Sequence, residues 1–472
     1  MYQIRLRRKT INQLLIIILM TSMLIIIDLL KIDADFFLAI LGILIILAFY
    51  YKYPNFLIRY IMLFFMAIGN LVGVLICEHS SIWLSELSIY AGYVGSFPLL
   101  FCGWFLLIAT VWMLDIRFKL VMLNQSYEIC KFKVGSQSLR LCQFLAVLCF
   151  IIVLFSLADV AWRPAFLEHI DRFVYKERYI SRTLEIMINS IYAILPLLFS
   201  MIVKKIGRVW FCLNYLTAIL FSLCLFCIGE KFGGFWCLAV YVCVISSIYT
   251  KSLSVEALHI RIKRIGMVFF MPLTIVLALH LSLTYSVGGE RLVTSYLPSF
   301  LSQRIAQQGQ LWWRTYALDK NNDMRISELG DETRVYFQND KQKEFEYKHA
   351  IYKIMRFTTP EDIFSRKISR GSRYSTSTFA SMFYYFKRVG VILWGIIGGI
   401  LFWGLMYLFM TAAGNLYVVE SILASKLLLM SYAVLAMSEF NVLLQDKPIF
   451  YFFIIISMFV VRKYLHLRRS RL

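Results

Sequence analysis

Apolar runs recur along the chain at roughly 11–30, 35–51, 57–77, 97–115, 141–161, 186–203, 209–229, 233–250, 266–287, 389–411, 417–438 and 448–461. Several approach or exceed the roughly 18–20 residues that cross about 30 Å of hydrocarbon. A lone segment in lipid must satisfy its own backbone hydrogen bonds, so each run predicts a helix. The pattern breaks once, over about a hundred polar residues. Three parts follow: residues 1–287 with nine spans and short loops, a large loop over 288–388, and residues 389–472 with three spans and a basic tail.

Composition agrees with this pattern. Of the 472 residues, 60% are hydrophobic and only 16% charged, more apolar surface than a soluble domain of this length can hide. The fold class is an all-α polytopic membrane protein of about twelve helices. Lys and Arg number 49 against 28 Asp and Glu. In a membrane chain such an excess reads as loop asymmetry, and no nucleic-acid partner is expected.

The cations fall on alternate connections. One side receives Arg5, Arg7, Arg8 and Lys9, then Lys52, then Arg117, Lys119, Lys131, Lys133 and Arg140. It also receives Lys204, Lys205, Arg208, Lys251, Arg261, Lys263, Arg264 and the tail "RKYLHLRRSRL". By the positive-inside rule that side is cytoplasmic, with both termini on it. The first run, Ile11 to Leu30, is longer than a cleavable signal core and has no small-x-small site after it, so it reads as a retained helix.

The ten cysteines lie mostly in apolar runs, and none falls between Val287 and Lys387, so no disulfide staples the loop. Cys224 and Cys227 form a CxxC in an apolar helix without a basic partner or second ligand pair, which reads as packing. No GxxxxGK[ST], GxGxxG or HExxH stands in a meaningful context. His79 and His169 read as isolated outer residues without a paired ligand at metal spacing, and no metal or cofactor is expected. Within the spans, His280, Lys426 with Glu420, and Glu439 are ionisable groups that suit either interhelical pairing or a water-filled cavity.

The loop is rich in arginine, carboxylates and aromatic rings. "LPSFLSQRIAQQGQLWWRTYA", "DKQKEFEYKHAIYKIMRF" and "TTPEDIFSRKI" each carry helical spacing, the last with Thr359 as N-cap and Pro360 at the first position. A small helical subdomain on the membrane surface is expected. Arginine forks onto phosphate and Trp or Tyr stacks on sugar, so the composition suits a lipid-linked phosphosugar. On composition alone, solvated helix faces, headgroup contacts and an interfacial aromatic belt are the favoured account. Asp319, Asn321 and Asp323 occur at calcium-loop spacing, but Met324 stands at the turn glycine and Gly330 at the closing glutamate, so a polar turn is the better account.

The many spans, the single large outer loop, "RIAQQGQLWW" entering it and "GSRYSTSTFASMFYYFKRVGVILWGIIGGILFWGL" leaving it resemble the Wzy-type oligosaccharide repeat-unit polymerases, which make O-antigen and capsule in bacterial inner membranes. The matching positions are Arg304, Gln308, Gly309, Trp312 and Trp313, then Gly371, Phe379, Phe386 and Gly390, with a weaker match at "YAGYVGSFPLL" (Tyr90 to Leu100). The resemblance implies a GT-C-like glycosyltransferase. It would move a glycan from undecaprenyl pyrophosphate to the non-reducing end of a lipid-linked repeat unit at the periplasmic face, without metal, beside a chain-length-regulating co-polymerase. On that reading Glu361, Asp362 and Asp319 are candidate bases. Arg304, Arg314, Arg366, Arg370, Arg373 and Arg291 are candidate pyrophosphate ligands, and Gln308, Trp312, Trp313 and Tyr374 candidate glycan contacts. The alternatives are an O-antigen ligase, which shares the donor, and a flippase for lipid-linked oligosaccharides.

Overall fold

The computed structural model of the chain describes residues 2–131, 136–165, 167–168, 172–204, 206–230, 233–248, 297–319, 323–337, 350–369, 374, 377–437 and 446–469. Helices dominate them. In chain order they are α1 (Tyr2–Leu30), α2 (Asp35–Lys52), α3 (Pro54–Arg59), α4 (Ile61–His79), α5 (Phe97–Lys131), α6 (Ser136–Ala161), α7 (Arg172–Tyr179), α8 (Arg182–Val203), α9 (Arg208–Cys227) and α10 (Gly233–Ile248). The polar stretch adds α11 (Leu297–Ala306), α12 (Gln310–Leu318), α13 (Ile326–Phe337), α14 (Ala350–Thr358) and α15 (Glu361–Ser369). The last three are α16 (Thr378–Gly414), α17 (Val418–Met437) and α18 (Asp446–Arg469). A two-stranded antiparallel hairpin, β1 (Trp83–Leu84) and β2 (Ile89–Tyr90), sits between α4 and α5.

Eight of these helices are long and apolar enough to cross a membrane among the described residues, and the protein is a helical polytopic membrane protein. They match the first seven expected runs and the tenth. The eighth run is the shorter apolar helix Cys237–Ile248, the eleventh and twelfth lie on α17 and α18, and 266–287 lies outside the described residues. α16 packs along α5 in the centre, with α1 and α4 against α5, α17 between α16 and α8, and α6 against α9. Small residues allow this close packing: a Cβ on Gly103 would lie 2.7 Å from the Phe379 ring, and one on Gly395 2.7 Å from Leu106 Cβ. Cys224 is buried in the core as a free thiol.

Chain direction gathers one end of the bundle from the α1–α2 turn, the hairpin segment, α11 to α15 and the start of α16. The opposite end carries two ion pairs, Arg59 to Asp115 at 2.6 Å and Arg462 to Glu420 at 2.5 Å. Glu420 thus pairs with Arg462 rather than Lys426, whose ammonium lies 5.7 Å from the Tyr451 ring centre.

Helices form in the polar stretch as expected, with two changes of boundary. The first expected loop helix is two, because residues 307–309 form a turn between α11 and α12. The exit helix begins at Thr378, inside the stretch expected to be loop, and breaks at Lys387 (φ 56°, ψ −144°).

Candidate functional site

The tandem tryptophans explain how the loop is seated. Trp312 Nε1 donates to the Ser96 carbonyl at 3.1 Å and Trp313 Nε1 to the Gly92 carbonyl at 2.8 Å. The same segment turns its amides the other way. Val94 N, Gly95 N, Ser96 N and Ser96 Oγ all donate to the buried Glu78 carboxylate, at 2.5, 3.0, 2.7 and 2.6 Å. Gly95 at φ +71° lets these amides converge, the geometry of an anion nest filled by the protein's own side chain. Beside the nest, the Tyr93 phenol is pushed up to about 12, first by burial and then by the fields of Asp35, Asp33 and Glu78.

Gln308 and Gly309 complete the seat. Asn70 Nδ2 donates to the Gln308 carbonyl at 3.0 Å. A Cβ on Gly73 would lie 2.7 Å from both Gly309 N and Ile305 O, and a Cβ on Gly309 would overlap the Val74 amide. The Gln-Gly-x-x-Trp-Trp stretch therefore docks the loop on α4, backbone against backbone. The tryptophans are 1% and 3% exposed and their N–H groups are occupied, which gives them an anchoring position rather than an open sugar platform.

Asp319 ends α12 and is enclosed by cations. Its carboxylate, 1% exposed, accepts from Arg325 Nη2 at 3.0 Å and from the Lys387 ammonium. Arg325 also caps the break in α16. Its backbone N–H donates to Tyr385 O at 2.9 Å and its Nη1 to Tyr384 O at 3.1 Å, carbonyls near the positive-φ Lys387. Such a backbone state costs about 1–3 kcal/mol and persists because its surroundings fix it. Asn321 lies outside the described residues and Asp323 is exposed, so the spacing that suggested calcium has its first carboxylate committed to a buried ion pair.

A second buried pair ties the first helix to this end. Asp28 accepts from Tyr316 OH and Arg388 Nε, each at 2.6 Å, and the Lys31 ammonium donates to the Tyr316 hydroxyl. An acidic residue in an otherwise apolar run is the signal that singles out Asp28 in the sequence.

Polar groups converge without closing over in one place. A cleft of about 430 Å³ is lined by Ser85 and Glu86 from the hairpin, Gln303, Arg304 and Gln307 from α11 and the turn after it, and Ile363, Arg366 and Lys367 from α15. Three cations face one carboxylate. Lys367 Nζ donates to Glu86 Oε1 at 3.1 Å and Gln310 Nε2 to Glu86 Oε2 at 2.5 Å. Tyr374 OH donates to the Glu86 carbonyl at 3.0 Å, and burial pushes its phenol well above the usual range, with Glu86 adding to the effect.

Among the sequence candidates, then, Arg304 and Arg366 share the cleft and Tyr374 borders it. Glu361 and Asp362 stand on the exposed start of α15, near Arg356 at 4.0 Å and Arg366 at 3.0 Å. Arg314 lies outside the cleft lining. It is half-buried, its Nε makes no hydrogen bond, and burial holds its guanidinium below the usual range. Arg291, Arg370 and Arg373 lie outside the described residues, as do His169, His280 and Glu439. Nothing in the sequence singles out Glu86, because a glutamate in a short connection between helices carries no distinguishing spacing.

A separate cavity of about 210 Å³ between α1, α2, α4 and α5 is lined by apolar side chains and Gln13, among them Ile17, Phe49, Phe101, Trp104 and Phe105. No charged group lines it, in contrast to the polar cleft.

A family described as being of unknown function (DUF6418) matches residues 344–454, which run from the second half of the loop through α16 and α17 into the start of α18. No curated protein and no solved structure matches the chain.

Proposed function

We propose that the protein is a repeat-unit polymerase of the Wzy type, a glycosyltransferase of the bacterial inner membrane. Its large loop would be periplasmic and both termini cytoplasmic. One observation carries the reading: Arg304 and Arg366, chosen from separate segments as phosphate ligands, line one outer-end cleft with Lys367 and a carboxylate. Fixed cations facing developing phosphate charge are the main requirement for expelling a pyrophosphate.

The chemistry then reads as follows. Glu86 takes the proton of the acceptor sugar hydroxyl. The hydroxyl oxygen bonds to the anomeric carbon of the donor as the bond from that carbon to the pyrophosphate oxygen breaks. The electron pair leaves with undecaprenyl pyrophosphate, whose charge Arg304, Arg366 and Lys367 stabilise. Attack opposite the leaving group inverts the anomeric centre, with no metal in any step. Glu86 replaces Glu361, Asp362 and Asp319 as the preferred base because it alone among them lies in the cleft. The apolar cavity beside α1 is suited to an isoprenoid segment. A co-polymerase would set chain length from outside this cleft.

The ligase reading uses the same cleft with a different acceptor. A flippase reading has no use for a cationic cleft at one end of the bundle. Reconstitution separates all three: the protein in vesicles with undecaprenyl-pyrophosphate-linked repeat units should yield a glycan ladder and free undecaprenyl pyrophosphate. Glu86→Gln should lose the ladder while remaining folded. Movement of labelled repeat units between leaflets without any new glycosidic bond would overturn the proposal, and transfer only to a lipid A core would replace it with the ligase.

A further inference from the structure

The α1–α2 turn and the end of α4 bring together three residues for which the chemistry above has no use. Asp35 and His79 meet at 3.0 Å, Oδ2 against Nε2. Asp33, on the exposed turn, joins them, and one ligand atom from each of the three lies within 4.8 Å of the others. We propose that Asp33, Asp35 and His79 form a binding site for one divalent transition-metal cation at the outer end of the bundle.

The decisive feature is the second oxygen of Asp35. Its side chain is 0% exposed, and Oδ1 is buried without a hydrogen-bond partner. A carboxylate oxygen in that condition is strongly destabilised unless a cation or donor reaches it. The neighbouring cations are engaged elsewhere: Lys31 donates to Tyr316 and Arg388 to Asp28. Glu78 is instead close enough to add its negative field at Asp35. The site therefore gathers negative charge around a buried oxygen, with His79 as the basic group that faces Asp35 through the other oxygen.

The donor set names the class of cation. One imidazole nitrogen with two carboxylates suits the borderline ions, Zn²⁺ first and Mn²⁺ next, rather than an all-oxygen calcium cage. Ligand bonds of about 2.0–2.2 Å place ligand atoms roughly 3–4 Å apart, the spacing Asp35 and His79 already have. Asp33 needs only a side-chain rotation on an exposed turn. The His79 ring is oriented in advance, 4.7 Å from Phe36 and 5.9 Å from Tyr93 between ring centres. Three protein ligands leave a position for water, and the cation would tie the first two helices to the end of α4. His79, isolated in the sequence, has in the fold the partners that its spacing concealed.

The test uses the full-length protein in detergent, stripped with EDTA and titrated with ZnCl₂. Saturable binding of about one Zn²⁺ per chain is expected, weakened roughly tenfold or more in Asp35→Asn and in His79→Asn. Size-exclusion profiles establish that the variants fold, and Asp33→Asn, altered on an exposed turn, supplies a change that leaves the core intact. A second readout needs no variant. Zn²⁺ should slow modification of His79 by diethyl pyrocarbonate, mapped by mass spectrometry, relative to the remaining histidines. No saturable binding, binding that survives both Asp35→Asn and His79→Asn, or equal protection of every histidine would each overturn the site. None of these outcomes bears on polymerisation, so the cation site and the cleft stand or fall separately.

Discussion

Trp312 and Arg304 belong to one short stretch of the large loop, yet they meet different surroundings. Trp312 is 1% exposed with its indole N–H on the Ser96 carbonyl, and Asp319 just beyond it is closed between Arg325 and Lys387. Arg304 opens on a cleft shared with Arg366, Lys367 and Glu86. The seated face is dry and its polar groups answer one another. The cleft face holds more positive than negative charge around an open hollow. Residue type does not separate the two; what separates them is that the seated pair Asp319–Lys387 is buried, whereas Arg304, Arg366 and Lys367 line an open cleft.

The largest effect that tests this contrast is on the seated side. Asp319→Asn leaves Lys387, 5% exposed, without its anion. Breaking a buried pair by removing one partner costs about 3–5 kcal/mol. A large fall in the thermal unfolding temperature in detergent is expected, partly restored by the double change Asp319→Leu, Lys387→Met. A variant that unfolds like the wild type and loses only activity would move Asp319 from the seat to the chemistry.

On the cleft side the signs reverse. Arg304→Ala with Arg366→Ala should reduce polymer formation roughly 10²–10³-fold, the range seen when a charge-stabilising donor is removed. Unfolding should stay within about 0.5 kcal/mol, as for surface changes away from structural features. Unchanged polymer formation would remove the cleft from the reaction.

How far the sequence reached follows the same division. The helices were legible because lipid forces backbone satisfaction within each run, and hydropathy alone reports it. The loop helices were legible from spacing, but the turn at Gln308 and Gly309 was not, because its cause is the close approach of Gly73 from another helix. Arg304 and Arg366 were selected as cations without any sign that they meet. Glu86 and Lys387 matter through partners far away in the chain, and one sequence offers no measure of such distances. The tryptophans read in the sequence as sugar contacts; in the fold both are buried and their N–H groups serve backbone carbonyls.

Trp313→Phe refines that last point. It keeps the ring and removes the 2.8 Å bond to Gly92, so a loss of about 0.5–1.5 kcal/mol in stability is expected with polymer formation preserved. Lost polymer formation at wild-type stability would return Trp313 to the glycan.

The smallest expected effect bears on which carboxylate serves the cleft. Asp362 and Arg366 form an i,i+4 pair at 3.0 Å with side chains 71% and 67% exposed, an arrangement contributing no more than about 0.5 kcal/mol. Asp362→Asn should leave unfolding unchanged, since water already solvates both groups. It also removes an anion that pairs with Arg366 from outside the cleft, which releases that guanidinium toward a pyrophosphate. Polymer formation should therefore hold or rise slightly in Asp362→Asn, while Glu86→Gln abolishes it. The opposite order, with Asp362→Asn inactive and Glu86→Gln active, would give the proton to Asp362 and reduce Glu86 to a tether for Lys367 and Gln310.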